Sequence, residues 1–160
     1  GTDKYDYKLR WLDAVHAWIA EELQRHPKLI VMGDFNIAPD ARDVYEPEVW
    51  SDNHILTSTA ERDALKRLQA LGLHDGFRLR NEDAGIFSWW DYRQAAYRRN
   101  LGLRIDLVLV SDALRASCRA AAIDPAAVHA ALVAPSPPRS RSTRRRRSWP
   151  ARPPPRVRCW

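Results

Sequence analysis

Two polar residues after a short apolar segment have side chains suited to hydrolytic chemistry. Asp34 and Asn36 belong to the tetrapeptide at 33–36, which reads GDFN and follows the apolar residues 29–32. Side chains two positions apart on an extended backbone project to the same side. Asp34 could accept a proton from water or hold a hard cation, and Asn36 could donate to a phosphoryl oxygen. The alternative is an Asx turn built from two common turn residues, and these four residues alone leave both interpretations open.

A second candidate is Asp106, which interrupts the apolar segment 104–110. If this segment is a strand, Asp106 shares one face with two valines. An ionised carboxylate among aliphatic side chains is costly unless it is paired or hydrogen-bonded. Asp106 therefore either orients a catalytic imidazole or forms a structural ion pair with an arginine such as Arg104 or Arg99.

An aromatic segment at 87–93, which reads FSWWDYR, is the third candidate. Adjacent residues of a strand face opposite ways, so we expect one of Trp89 and Trp90 in the core and the other at the surface. A surface aromatic near arginines is a combination that stacks on sugars or bases while the arginines hold phosphates. Core packing beside a solvated loop is the alternative. The neighbouring arginines are Arg93, Arg98, Arg99 and Arg104.

These candidates would be positioned by helices and strands that alternate along the chain. Apolar residues recur at helical spacing over 8–25, and a capping box at Ser58 and Glu61 predicts a helix that Gly72 ends. Short apolar segments predict strands at 28–32 and 104–110. The order of elements predicts an α/β fold, with residues 40–57 as a loop and a short helix at 113–120 capped by Ser111 or Asp112.

Composition divides the chain near residue 124. The net charge is +6, but residues 1–124 carry −3, whereas residues 125–160 carry nine arginines, no acid and eight of the eleven prolines. We expect one domain over 1–124 and a basic tail over 125–160 that is either disordered or translated out of frame. No apolar stretch is long enough for a membrane span, and two cysteines make no disulfide framework, so we expect a cytoplasmic protein.

Three segments together resemble the exonuclease III branch of the endonuclease/exonuclease/phosphatase superfamily. They are GDFNIAP at 33–39, FSWWDYR at 87–93 and LGLRIDLVLVS at 101–111. The opening residues 1–12 and the segment 60–77 resemble the same family, so that the likeness covers residues 1–124. The resemblance implies part of a four-layer α/β sandwich, in which two packed sheets are flanked by helices. It also implies a metal-dependent DNA-repair nuclease that degrades 3′ ends and incises at abasic sites.

The resemblance assigns three catalytic residues. Asp34 matches the acid that positions and deprotonates the attacking water, and Asn36 matches the amide that contacts the scissile phosphate. Both lie near the metal, for which Mg²⁺ or Mn²⁺ is expected. Asp106 matches the carboxylate that orients the catalytic histidine of the family.

The resemblance also assigns substrate-binding residues. Trp89 matches an aromatic residue in the pocket for the abasic sugar, and Asn100 and Arg104 lie in the DNA-facing loop and strand. The expected partners are double-stranded and abasic-site DNA, bound by a monomer.

This sequence departs from the family in two respects. The metal-binding glutamate and a tyrosine near the site have no counterpart in the chain, and the Asp-His pair that follows the last strand is replaced by the residues from Ala134 to Pro138 and then arginines. Since catalytic groups act as a unit, we expect this chain alone to be inactive. Two other functions stay open: a phosphatase or sphingomyelinase-like enzyme, and a non-catalytic nucleic-acid binder that uses Arg144–Arg147.

Overall fold

The computed structural model describes residues 3–50 and 54–124, so the predicted tail at 125–160 lies outside the described residues. Within them, three helices and five strands alternate along the chain. The helices are α1 (Asp3–Arg25), α2 (Thr59–Gln69) and α3 (Asp112–Arg115), and a short 3₁₀ helix spans Ala41–Asp43. The strands are β1 (Ile30–Asp34), β2 (Leu73–Asp75), β3 (Trp89–Trp90), β4 (Gly102–Leu103) and β5 (Asp106–Ser111).

Strand β5 is the centre of a three-stranded sheet. It pairs antiparallel with β1 on one side and with β2 on the other, and β3 and β4 form a separate two-stranded antiparallel sheet. The pairing with β1 places Ile30 opposite Val110 and Asp34 opposite Asp106. The predicted α/β fold is therefore confirmed, with several boundaries shifted. Helix α1 begins at Asp3 instead of residue 8, β1 extends to Asp34 instead of ending at residue 32, and β5 begins at Asp106 instead of residue 104.

Helices α1 and α2 cover one face of this sheet. Their apolar stripes were predicted from helical spacing, and the capping box of α2 forms as expected, with Ser58 and Glu61 bonded reciprocally. Because alternate residues of β5 face the helices, the sheet supplies the other half of the core. The buried residues of this core include Leu12, Ile19, Leu65, Leu68, Leu107 and Leu109.

The opposite face of the sheet is open to solvent among the described residues. Ile30, Met32 and Val108 are 41%, 67% and 42% exposed. Alternation places them on the side away from α1 and α2, together with Asp34 and Asp106. An apolar sheet face therefore leads up to the two carboxylates.

The helix predicted over 113–120 is shorter than expected. Helix α3 ends at Arg115, and Ser111 makes no side-chain capping bond. The Ser111 hydroxyl instead accepts from the backbone N–H of Leu29, at 3.1 Å, which ties it to the segment before β1. No helix within the described ranges has the length and hydropathy needed to cross a bilayer.

Arg104 is the residue that differs most from its predicted role. It was expected on a DNA-facing strand, but its side chain is buried, with 1% of it exposed. Its Nε donates to Asp43 Oδ1 at 2.6 Å, and one Nη donates to Asp43 Oδ2 at 3.0 Å and to Asp75 Oδ2 at 2.8 Å. A second arginine, Arg78, donates to Asp43 at 2.5 Å. Because this guanidinium is enclosed by protein carboxylates, it does not reach a substrate.

This buried network joins three parts of the chain. Asp43 ends the 3₁₀ helix, Asp75 ends β2, and Arg104 lies between β4 and β5. Burial on its own would lower the pKa of Arg104, but the hydrogen bonds to the two carboxylates outweigh it and raise that pKa. The guanidinium also lies 5.1 Å from the centroid of the Phe77 ring. The network therefore holds a permanently charged cation between the two sheets.

Replacing Arg104 with methionine should destabilise the fold severely. The substitution leaves the buried Asp75 carboxylate without its cation, and breaking a buried pair in this way costs about 3–5 kcal/mol. Urea unfolding followed by circular dichroism measures the loss. The matched control is Arg93→Met, which breaks an ion pair to Asp91 whose arginine side chain is 70% exposed, and which should change stability little. Equal losses in the two variants would contradict a structural role for Arg104.

Candidate active site

Asp34 and Asp106 face each other directly across strands β1 and β5. Opposed residues of an antiparallel pair have Cβ atoms about 4.5–5.5 Å apart and project from the same face of the sheet. Both residues are exposed. The two carboxylates thus form one acidic pair at the end of the open sheet face, as their separate positions in the sequence could not show.

Asn36 is brought to this pair by a turn. Its backbone N–H donates to Asp34 Oδ1 at 2.8 Å, which is the Asx turn considered as the alternative to a functional site. Its φ of 53° is left-handed, a region that asparagine tolerates better than most residues. The prediction of an extended backbone over residues 34–36 is therefore wrong, because β1 ends at Asp34 and the chain turns at Asn36. The turn keeps the Asn36 backbone N–H at the Asp34 carboxylate.

Ser88 fixes the start of β5, where Asp106 lies. Its Oγ accepts from the backbone N–H groups of Ile105 and Asp106, each at 3.1 Å. The carbonyl of Ile105 in turn accepts from the N–H of Phe35 at 3.0 Å. The backbone on either side of the acidic pair is therefore restrained by hydrogen bonds from neighbouring segments. Ser88 lay within the aromatic segment, but sequence reasoning did not single it out.

The Asp106 carboxylate has no partner of its own among the described residues. It forms no ion pair with Arg104 or Arg99, which were its predicted structural partners, and Arg104 is bound to other carboxylates. No histidine within the described ranges hydrogen-bonds it, and His74 contacts Asp112 at 2.5 Å instead. The structural interpretation of Asp106 as a salt-bridged residue is thus wrong.

Trp89 borders a cavity of about 380 Å³, next to the two-stranded sheet. Trp89 is 38% exposed, whereas Trp90 is 8% exposed and packs against Phe87, as the alternation predicted. Two further aromatic residues of the cavity, Tyr45 and Trp50, come from the stretch expected to be a loop. The lining includes Tyr45, Trp50, Trp89, Asp91, Arg93 and Gln94.

The polar residues near this cavity are partly committed to one another. Arg93 donates to Asp91 at 2.8 Å, and this hydrogen bond lowers the pKa of the Asp91 carboxyl. Asn100 is exposed, has a left-handed φ of 53° and donates its N–H to the Tyr97 carbonyl. It precedes Leu101, which also lines the cavity. Asn100 therefore ends a turn at the cavity, with its side chain accessible.

The sequence matches the family described as "Endonuclease/Exonuclease/phosphatase family" over residues 1–153. The chain belongs to this family. The matched region includes the segments that carry Asp34, Trp89 and Asp106, which confirms the resemblance, and it continues past residue 124, where composition suggested a boundary.

Among curated relatives of this family member are two bacterial enzymes. It is 36% identical over 124 residues to an exodeoxyribonuclease of Bacillus subtilis, an alignment that covers 77% of this chain and 48% of that protein. It is 32% identical over 121 residues to exodeoxyribonuclease III of Haemophilus influenzae, with 72% and 45% covered. The chain therefore spans less than half the length of these relatives.

Solved structures show the same fold. The 3′-5′ exonuclease NExo from Neisseria meningitidis superposes with a TM-score of 0.69 and 43% sequence identity, over 72% of this chain and 44% of that one. An AP endonuclease from Archaeoglobus fulgidus gives a TM-score of 0.66 at 31% identity, over 72% and 45%. The α/β fold of this family member is thus that of the exonuclease III and AP endonuclease structures.

The residues of the site fit a divalent cation, on which exonuclease III enzymes depend. Two carboxylates lie directly opposite each other, an arrangement that is destabilising when no cation offsets it. Carboxylate and amide oxygens are ligands that Mg²⁺ and Mn²⁺ favour. Asp34 and Asn36 supply such oxygens at one turn. The described residues hold no group of three or more His, Cys, Asp or Glu side chains that could bind a metal alone.

Removing one charge of the pair should stabilise the metal-free chain. Asp34→Asn keeps an oxygen for the Asx turn but removes the repulsion with Asp106, so in EDTA the free energy of unfolding should rise by about 0.2–1 kcal/mol. Added Mn²⁺ should then raise the thermal midpoint of the original chain and not that of the variant, because ligand binding stabilises only the form that binds.

The control for this comparison is Asp63→Asn. Asp63 lies on helix α2, 49% exposed, and pairs with Lys66 at 3.1 Å. Its substitution changes the net charge equally without relieving the acidic pair. An Asp34→Asn variant that is less stable than the original chain in EDTA, or that responds equally to Mn²⁺, would show that the pair carries no such repulsion.

Proposed function

We propose that Asp34, Asn36 and Asp106 belong to the catalytic site of a DNA-repair phosphodiesterase of the exonuclease III type. Its activities are the removal of nucleotides from 3′ ends and incision at abasic sites, in double-stranded DNA bound by a monomer. The observation that supports this most strongly is the direct pairing of Asp34 with Asp106, beside the turn that carries Asn36. Three polar residues from two distant segments meet at one point.

Each side chain has a distinct task in this proposal. Asp34 accepts the proton of the attacking water and orients it, and Asn36 donates its amide N–H to an oxygen of the scissile phosphate. Asp106 would orient the catalytic histidine of the family, whose place after the last strand this sequence fills with the residues from Ala134 onward. A Mg²⁺ or Mn²⁺ ion held by Asp34 and Asn36 would supply charge neutralisation at the phosphate.

The cavity beside Trp89 gives this site a place for the sugar of the cleaved nucleotide. Trp89, which borders the cavity, directly follows Ser88 in the sequence. Because Ser88 accepts from the backbone N–H of Asp106, the cavity and the acidic pair are connected through two adjacent residues. An exposed indole suits stacking on an unpaired nucleotide. Asn100, which precedes the cavity residue Leu101 and is exposed, contacts the DNA backbone in this proposal. Arg104 is left out of this substrate-binding set, because it is buried.

Removal of a 3′ phosphate is a second candidate activity of the same site. A structural relative, 42% identical with a TM-score of 0.69, is described as the 3′ phosphatase NExo from Neisseria bound to product DNA hairpin. The chemistry is again attack of water on a phosphorus bonded to the 3′ oxygen. The DNA hairpin in that structure also supports DNA as the substrate of this chain.

Substitution of the acidic pair should abolish hydrolysis. In a chimera, the 124 aligned residues of this chain would replace the corresponding region of the Bacillus subtilis exodeoxyribonuclease, which is 48% of that enzyme. The chimera should release nucleotides from a duplex with recessed 3′ ends when Mg²⁺ is present. Loss of a general base lowers kcat by about 10²–10⁴-fold, which is the effect expected for Asp34→Asn, while Asp63→Asn should keep the activity.

Substrate choice decides between the alternatives. The same preparations are given the duplex, a hairpin with a 3′ phosphate and a soluble phosphomonoester, and initial rates are compared. Preference for the soluble ester would favour a general phosphatase and overturn the assignment to DNA. An Asp34→Asn chimera as fast as the unsubstituted chimera would remove Asp34 from the site.

Trp89→Ala should affect abasic substrates selectively. Loss of the apolar packing of the indole against the abasic sugar removes part of the about 1.5–3 kcal/mol that burial of a large apolar side chain contributes, so KM for an abasic duplex should rise roughly fivefold or more. The rate of exonuclease release from an undamaged 3′ end should change less. The control is Tyr92→Ala, which removes a side chain that is 87% exposed and does not line the cavity. Equal effects of the two substitutions would exclude a specific role for Trp89.

A further inference from the structure

The side chain of Lys8 connects helix α1 to two groups that are far from it in the sequence. Its Nζ donates to the backbone carbonyl of Asn36 at 2.5 Å and forms an ion pair with the Glu61 carboxylate. The Lys8 side chain is 18% exposed, and that of Glu61 is fully buried. One ammonium group therefore ties together α1, the turn after β1 and the first turn of α2.

Glu61 gives Lys8 a fixed anchor. Its Oε2 accepts from the Ser58 backbone N–H at 3.1 Å and from the Ser58 hydroxyl at 2.7 Å, which completes the capping box of α2. Tyr5 of α1 lies 2.7 Å from the same hydroxyl. Because two hydrogen bonds from Ser58 hold the Glu61 carboxylate in place, Lys8, which pairs with that carboxylate, has little freedom to move away from Asn36.

The Asn36 backbone needs such support. Its φ of 53° is unfavourable for a residue with a Cβ atom, and Asn36 lies on the surface between the buried residues Phe35 and Ile37. The Asx bond to Asp34 holds its N–H, and Lys8 holds its carbonyl. The carboxamide of Asn36 makes no hydrogen bond with another described residue. Where the carboxamide can reach is therefore limited by the Asn36 backbone, because no side-chain hydrogen bond holds it.

We propose that Lys8, anchored by Glu61, is a positioning residue for Asn36. Its bond to the Asn36 carbonyl keeps the turn in the left-handed conformation and so keeps the carboxamide beside Asp34. Lys8 acts through Asn36 and does not itself touch the phosphate. The effect on turnover rests on the proposed function, whereas the effect on the conformation of Asn36 does not.

The test measures the backbone of Asn36 directly in the 160-residue chain. The variants are Lys8→Met combined with Glu61→Gln, and Lys8→Arg alone. The introduced glutamine can still accept from Ser58, so the double variant retains the cap of α2 and avoids a buried unpaired carboxylate. Lys66→Met is the control, because it removes a lysine from an exposed ion pair on the same helix, with Asp63 at 3.1 Å.

Hydrogen exchange observed by NMR is the decisive measurement. In the double variant, exchange of the Asn36 amide should accelerate about tenfold, while the amides of Leu107 and Leu109 in β5 keep their rates. Lys8→Arg alone should keep the exchange rate of the Asn36 amide within about twofold of that in the original chain, since its guanidinium also donates. Unchanged exchange at Asn36, or equal acceleration throughout β5, would overturn the proposal.

Kinetic measurements on the duplex substrate separate this proposal from the proposed function. They use the chimera with the Bacillus subtilis exodeoxyribonuclease that was described above. If Lys8 positions Asn36, the double variant should lower kcat by about tenfold to a hundredfold with KM nearly constant. In an Asn36→Ala background the same substitutions should cause no further loss. Additive losses would overturn the role of Lys8 in turnover. Faster Asn36 exchange in the chain, without DNA hydrolysis by the unsubstituted chimera, would retain the positioning role and reject the proposed function.

Discussion

The register between β1 and β5 is the constraint on which the rest of the structure depends. It places Asp34 opposite Asp106, and it places the leucines of β5 against helices α1 and α2. A slip of one residue would turn every side chain of β1 to the other face, so that Asp34 would enter the apolar core. Burial of the core and assembly of the acidic pair are therefore specified by the same hydrogen bonds.

The segment that leads into β5 is held from two sides. Arg104 is enclosed by Asp43 and Asp75, and its backbone N–H also donates to the Asp43 carbonyl at 2.9 Å. From the other side, Ser88 accepts the N–H groups of the next two residues. A buried guanidinium is costly, and here carboxylates from two separate elements offset that cost through Nε and one Nη, while the other Nη is buried without a partner among the described residues. The position of Asp106 thus depends on residues far outside its own strand.

Much of this arrangement could be predicted from the sequence, because it depends on local patterns. Alternation along 104–110 predicted that Asp106 shares a face with Val108 and lies opposite the leucines, and the capping box at Ser58 predicted the start of α2. The opposition of Asp34 to Asp106 was not predictable from local pattern, since register is set by tertiary pairing. Arg104 was misassigned for the same reason: its carboxylate partners lie in remote segments, and the sequence alone does not show which acids could compensate its charge in the core.

The topology also dictates when the acidic pair can exist. Among residues 3–50 and 54–124, β1 pairs with no strand other than β5, which is the last strand of this region. Because a chain is synthesised from its N-terminus, β1 emerges from the ribosome well before the strand that completes it. Until then both backbone edges of β1 are unpaired, and unpaired strand edges make a nascent chain prone to aggregation. A nascent chain therefore carries Asp34 without Asp106, and the pair first forms when β5 has been made.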